Sequence, residues 1–477
     1  MSSPLIRLSR RAFLRSSACG FGSIALAGLA AEPAPGTSSD PLLHAQGPHY
    51  HPRAKRIIFL FMQGGVSQVD SFDYKPLLVK QDGKDMPFDD ARVLANSGMK
   101  GSEQRIMRPL WAFSRHGESG RWGSALFPEL NRHVDDLCFI HSVHTEGVAH
   151  GPATLFLHCG ATVGVRPSMG AWIQYGLGTE NEDLPGFVTI GPSAGNGGAR
   201  NYGHAFLPAV YQGTAVGKAG APASDATIRN LSNPLLSPLD QTRHFELLQS
   251  LNSKQLKSDS DSELEAVISS FELAWRMQMN APDVLEISGE TKETLDLYGI
   301  DQEPTDNFGR QCLLARRLSE RGVRFIQVTY GDSTANPAWD QHSNMQAHET
   351  HAQRVDRPIA GLLTDLKRRG LLEDTLVWWG SEFGRTPYAQ QKGTGRDHNP
   401  DGFTIWLAGG GTKAGHAYGS TDDFGHKAVA NKVHMHDLHA TMLHLLGLDH
   451  ERLTYRYSGR DFRLTDVHGH VIKEILA

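Results

Sequence analysis

The sequence predicts an α/β fold, with a mostly parallel central sheet covered by helices on both faces and a small antiparallel appendage at the C-terminal end. Three observations predict it. Uninterrupted apolar runs such as "RIIFLFM" recur along the chain, bounded by glycine or charge, as strands buried on both faces require. Segments of helical length separate these runs. Polar residues gather directly beyond the runs, where open α/β sheets place their chemistry.

The N-terminal segment reads as an address. In "SRRAFLR", Arg10 and Arg11 precede Phe13 and Leu14, and a weakly apolar Ala/Gly stretch runs from Ala18 to Ala31. This resembles a twin-arginine export signal, so residues 1–31 are expected to be a signal peptide and 32–53 a linker. The expected location is periplasmic or extracellular, with the twin-arginine translocase as a partner during export. The apolar stretch is too short and too rich in glycine for a transmembrane helix. Cys19 lies at the start of that stretch and not behind it, which argues against a lipoprotein anchor. Without the signal three cysteines remain, Cys138, Cys159 and Cys312, too few for a disulfide scaffold.

The domain proper is expected over residues 54–450. "AKRIIFLFMQGG" reads as a central strand ending in a glycine turn, "FPELNRHVDDL" as a helix and "CFIHSVHT" as the next strand. "GRQCLLARRLSERG" reads as a helix leading into the strand "VRFIQVTYG". In "RPIAGLLTDLKRRGLLED", Ile359, Leu362, Leu363 and Leu366 fall at helical spacing ahead of the strand "TLVWW". "GFTIWLAGGG" is a further strand and "MHDLHATMLHLLGL" a further helix. Two stretches read as insertions, at about 79–122 and 234–297. Residues 451–477, with short alternating runs broken by glycine, read as the β appendage.

Composition narrows the function. A formal net charge of -5 carries no basic excess and excludes nucleic acid as an expected partner. The 24 histidines are clustered, as in "WDQHSNMQAHETH", "GRDHNP" and "KVHMHDLHATMLH", and histidine is the commonest metal ligand. After the first strand come Gln63, Gly64, Gly65, Asp70 and Asp73. After "CFIHSVHT" comes His150, after "VRFIQVTYG" come Asp332, Asp340 and His342, and after "TLVWW" come Glu382 and Arg385. Asp397 and His398 stand just before "FTIWLAGGG". Carboxylates and imidazoles converging on one sheet edge are the donor mixture of a divalent-metal site. "TIGPSAGNGGARNYG", which no amphipathic helix follows, is assigned to a loop.

Several stretches carry a family resemblance. Val355 to Gly384 resembles the sulfatase segment in which a helix leads through "Gly-Leu-x-x-(Asn/Asp)-Thr-Leu-Val" into a strand and then "Ser-Asp-His-Gly". Glu382 falls on that family's metal-binding Asp, and Phe383 where His or Asn would stand. "AHGPATLFLHCG" follows the sulfatase signature with Pro152 and Gly160 in register, but His150 occupies the nucleophile position and Thr154 the arginine position. "DHNPDGFTIWLAGGG" is similar to a stretch of alkaline phosphatases whose His, here His398, is a metal ligand. "DLHATMLHLLGL" resembles a late sulfatase helix, which implies that the helix is structural and that the histidines of "HMHDLHATMLH" serve packing and surface. With the export signal, "GGVSQVDSFDYKP" and "SEFGRTP", the chain is identified as resembling the exported domain-of-unknown-function family 1501, within the alkaline phosphatase and sulfatase superfamily.

The resemblance implies an alkaline phosphatase/sulfatase-like fold and a centre of one or two divalent metal ions, zinc or calcium. It implies metal ligation by Asp340, His342 and His398, with Glu382 and either Asp70 or His150 at a second ion. It leaves His150 as nucleophile, ligand or relic, Arg385 as holder of an anionic oxygen or structural ion pair, and Asp397 as support for His398. Departures accompany it. Gln63-Gly64 stands where sulfatases carry paired carboxylates, no residue corresponds to the formylglycine precursor, and Asp340 and His342 have one residue between them where alkaline phosphatases have three. The expected function is hydrolysis of phosphate or sulfate esters, including those of sulfated or phosphorylated polysaccharides. The alternative is a catalytically degenerate protein that binds such glycans.

Overall fold

A computed structural model describes residues 47–477 apart from 93, 95–99, 182, 229–234, 257–267, 269, 270, 274, 276–282, 391 and 392. The expected signal peptide, most of the linker and parts of both insertions lie outside the described residues.

Among the described residues nine strands form the central sheet: β1 (Arg56–Met62), β2 (Leu137–His144), β3 (Phe187–Ile190), β4 (Thr214–Val216), β5 (Phe325–Tyr330), β6 (Thr375–Gly380), β7 (Phe403–Ala408), β8 (His416–Tyr418) and β9 (Val433–His434). Their order is β8-β2-β7-β6-β1-β5-β3-β4, with β9 also paired to β2. All pairings are parallel except those of β7, which runs against both β6 and β2.

The continuous apolar runs follow from burial on two sides. In β1 every residue is buried, and successive side chains enter opposite cores, Leu60 and Met62 one, Phe59 and Phe61 the other. The same split separates Trp378 from Trp379 in β6. Trp378 stacks on Phe59 of the neighbouring strand at 3.6 Å between ring centroids, and Trp379 lies parallel to Trp406 at 5.8 Å. On one face the core is closed by α3 (Asp306–Glu320) and α4 (Ala347–Arg368), through Leu313, Ile359, Leu362 and Leu366. On the other it is closed by α1 (His150–Cys159), α2 (Met169–Leu177) and α5 (Met435–Leu445), through Leu157, Trp172, Leu438 and Met442.

A second, three-stranded sheet carries much of the polar edge. Gly384–Ala389 pairs antiparallel with Arg396–Asn399 on one side and Arg105–Ile106 on the other. Its register sets Arg385 opposite His398. At the C-terminal end Tyr455–Tyr457 and Arg460–Phe462 form an antiparallel hairpin packed on Phe206. No helix among the described residues is long and apolar enough to cross a membrane.

The stretch "FPELNRHVDDL", expected to be a helix, forms only a 3-10 turn at Leu130–His133. Phe127, Leu130 and Val134 are all anchored in the core, and Asp356 of α4 accepts the N–H groups of Glu129 and Leu130. The segment is therefore pinned as a turn, and strand β2 begins at Leu137, before another helical turn could form. The short strands β3, β4, β8 and β9 escaped the sequence reading because two to four residues carry too little periodicity to register.

Candidate metal centre

Each element delivers its polar residue to the same edge. The turn after β1 holds Gly64, and a Cβ there would lie 2.7 Å from the Trp339 nitrogen and 2.8 Å from that of Asp340. Only glycine lets the loop after β5 come down close enough to aim Asp340 inward. Ser381, Glu382 and Phe383 follow directly on β6. His150 is the first residue of α1, and because β7 runs antiparallel, His398 just ahead of it reaches the carboxyl edge of its parallel neighbours.

Four of the sequence-predicted residues come together. One donor atom each of His150, Asp340, His342 and His398 lies within 4.8 Å of all the others. The focus is Asp340 Oδ1, approached by Nε2 of His342 at 2.8 Å, of His398 at 3.2 Å and of His150 at 3.2 Å. The far nitrogen of each ring is committed elsewhere. His150 Nδ1 donates to Glu382 Oε1 at 2.7 Å, His342 Nδ1 to Gln390 Oε1 at 2.6 Å, and His398 Nδ1 to the Val148 carbonyl at 2.7 Å. Those partners only accept, so Nδ1 carries a proton in each ring, and in its neutral form each imidazole presents its Nε2 lone pair to the carboxylate. His342 and His398 bring their Nε2 atoms within 2.9 Å of each other. The buried His150 Nε2 makes no hydrogen bond.

Lone pairs facing lone pairs and a carboxylate repel unless a cation sits among them. Nitrogen and oxygen ligands about 2 Å from one zinc-sized ion stand roughly 3 Å apart, which this spacing fits. Imidazoles held through their second nitrogen by a carboxylate or carbonyl are the usual support of metal-binding histidines. The donor set of three imidazoles and one carboxylate suits zinc better than calcium, which takes oxygen ligands.

The electrostatics agree. Burial opposes the charge on Asp340, yet its contacts with His150, His342 and His398 and the adjacent Arg385 hold its carboxylate far below the usual range. Burial also opposes charge on His150, but its interactions with Asp340 and Glu382 prevail and raise its pKa to about 9. A proton on His150 thus takes the place that a cation would fill among these groups. His398 is lowered by burial and by Arg385.

The other predicted residues stand around this group. Glu382 is fully buried and reaches it through His150, with its carboxylate also bound by the Gly64 N–H and the Ser381 hydroxyl. Asp70 does not join it. Its carboxylate is engaged by Arg396 at 2.7 Å, the Ser67 hydroxyl and the Leu110 N–H, a closed buried pair. Arg385 is turned inward and fully buried. It donates to Asp340 Oδ1 at 2.7 Å and to the carbonyls of Gly64, Gly65, Trp339 and Arg396, so an expected anionic oxygen would find its donors already engaged. Asp397 accepts the backbone N–H of His398 and does not hold its ring, a task that falls to Val148. Phe383 lies against the His398 ring at 4.2 Å and the His150 ring at 5.1 Å, and walls that side from water. Gln390 and the Val148 carbonyl were not foreseen, since a lone amide and a backbone oxygen leave no mark in a sequence.

The helical histidines of α5 do not form a second centre. His436 and His439 donate Nε2–H to the carbonyls of Gly160 and Leu157, at the C-terminal end of α1.

The profile of the family described as "Protein of unknown function (DUF1501)" matches residues 54–476. No curated protein matches the chain. Among solved structures, the chain is similar to the PsFucS1 sulfatase from Pseudoalteromonas sp. at 11% identity and TM-score 0.36, covering 89% of this chain and 71% of that one. It is also similar to the alkaline phosphatase from the Antarctic bacterium TAB5, at 11% identity and TM-score 0.29 over 75% of this chain and 92% of that one. A third is phosphonate monoester hydrolase SpPMH from Silicibacter pomeroyi, at 10% identity and TM-score 0.32 over 82% and 73%.

Proposed function

The chain belongs to the DUF1501 family, and we propose that this member is an exported, metal-dependent hydrolase of phosphate or sulfate esters. The observation that carries the reading is the aim of three Nε2 atoms at one carboxylate oxygen, each ring fixed from behind by an acceptor. His150, Asp340, His342 and His398 would hold the ion. When bound, it would supply Lewis-acid polarisation of the ester and lower the pKa of water.

The chain's own residues set the stage for that chemistry. Glu382 keeps the His150 proton on Nδ1, Arg385 fixes Asp340, and Phe383 excludes water behind His398. His342, at 30% side-chain exposure the most open of the four, faces the side from which substrate arrives. In hydrolysis the phosphorus–oxygen or sulfur–oxygen bond of the ester breaks. Water gives its hydroxyl to the oxyacid and a proton to the leaving alcohol. The N-terminal "SRRAFLR" segment supports export by the twin-arginine route.

A second reading, binding of sulfated or phosphorylated glycans without turnover, is favoured by the Phe383 ring packed where relatives have a polar residue. Metal analysis of the purified protein with a panel of aryl phosphates and sulfates separates the two. The hydrolase reading expects bound metal and turnover lost in His398→Ala. Turnover indifferent to His398 would defeat it, and bound metal without any turnover would favour the glycan-binding reading.

A further inference from the structure

Resting on that reading, we propose that the centre holds a single metal ion, that Arg385 stands as the second cation, and that the ligand is a monoanionic oxyacid ester. Asp340 is the only carboxylate in the four-residue group. The neighbouring carboxylates are already engaged: Glu382 by Gly64, Ser381 and His150, Asp70 by Arg396 and Ser67, and Asp397 by the His398 N–H. Two-ion hydrolytic centres clamp a substrate between ions a few ångströms apart and share carboxylates between them. Here the oxygen that would be shared, Asp340 Oδ1, already receives the Arg385 guanidinium at 2.7 Å. Arg385 cannot swing aside, because it is fully buried and bound to the carbonyls of Gly65, Trp339 and Arg396. A permanent positive charge in that place repels a second dication and takes over its role of balancing Asp340.

The charge balance then selects the substrate. One divalent ion and Arg385 are opposed by Asp340 and Glu382, which leaves one net positive charge on a centre whose other ligands are neutral imidazoles. Asp397, about one-third exposed and 3.7 Å from His342, adds negative potential at the rim. That field matches a sulfate monoester or a phosphate diester, each carrying one negative charge. It disfavours a phosphate monoester, which carries two above neutral pH.

Elemental analysis and calorimetric titration of the full chain with zinc test the first half. One equivalent is expected, and at least a tenfold weaker titration in His342→Ala. Two equivalents overturn the inference and leave metal dependence standing, whereas none overturns the metal-dependent reading itself. Calorimetry of the zinc-loaded protein above neutral pH with methyl sulfate, dimethyl phosphate and methyl phosphate tests the second half. One of the two monoanions is expected to bind about tenfold more tightly than the dianion, and which one it is separates sulfate from phosphodiester. Tighter binding of methyl phosphate, or no binding of any of the three, overturns it.

Discussion

Glu382 has no exposed surface, yet it remains an anion. Burial raises its pKa, and the hydrogen bonds from His150 and the Gly64 N–H outweigh this and bring it below the ordinary value. What it does for the centre is make the His150 imidazole a better donor and fix its tautomer. Glu382→Gln keeps an oxygen for Nδ1 but removes the charge. We expect its zinc affinity to fall about 10- to 100-fold, read by competition with a chelating dye; an affinity equal to the parent's would contradict the assigned role. At this scale the sequence was informative in part. Strand-end position marked Glu382 and Asp340, because an apolar run shows where a strand stops, while His398 stood just ahead of such a run. It could not show which way each side chain reaches, and so it left unseen that the Glu382 carboxylate meets His150 and that Arg396 holds Asp70. Arg396 sits inside "GRDHNP" beside the residues that drew notice, and only the fold brings it 2.7 Å from a carboxylate 326 positions earlier.

Among the elements, the β1 turn and the direction of β7 decide the geometry. Gly64 has φ of 119°, and any Cβ there would press on the backbone of Trp339 and Asp340. Gly64→Ala should therefore push the Asp340 loop outward. The expected result is a loss of more than about 1 kcal/mol in denaturant unfolding and at least tenfold weaker metal binding. Parent-like values in both would show that the close approach is dispensable. β7 carries the other lesson. Had "FTIWLA" run parallel to its neighbours, the "DHN" before it would lie at the opposite edge of the sheet. Its antiparallel pairing with β6 and β2 brings His398 to the centre. Nothing in a buried apolar run reports strand direction, so the sequence offered convergence of the motifs without a reason for it. Capping of the α1 carbonyls by His436 and His439 was likewise hidden, although the assignment of these rings to packing agrees with their placement.

Over the whole molecule, histidine serves two opposite purposes. A few rings form the polar centre, while others are buried as neutral groups. Burial pushes His439 down to about 3 and His158 and His351 down to about 4, against an ordinary value of 6.5. Above about pH 6.5 these rings are neutral in folded and unfolded chains alike and their contribution is intact. As pH falls toward 4 the unfolded chain binds protons that the fold refuses, and stability is lost. The midpoint of thermal unfolding should therefore drop between about pH 7 and pH 5, and the drop should be smaller in His439→Gln, whose amide can still reach the Leu157 carbonyl. An unchanged or higher midpoint at the lower pH would contradict this. The α/β architecture was legible at this scale because two-sided burial writes itself as continuous apolar runs, and the small second sheet was not, since its strands mix Arg, Asp, His and Thr.

The central claim is that His150, Asp340, His342 and His398 gather around one ion at the carboxyl edge of the sheet. An anomalous-scattering map from crystals of the zinc-loaded protein, recorded at the zinc absorption edge, tests it most directly. A single peak bounded by the three Nε2 atoms and Asp340 Oδ1 is expected, with Arg385 still on that oxygen. A peak elsewhere, a second peak beside it, or imidazoles turned away from Asp340 would contradict it.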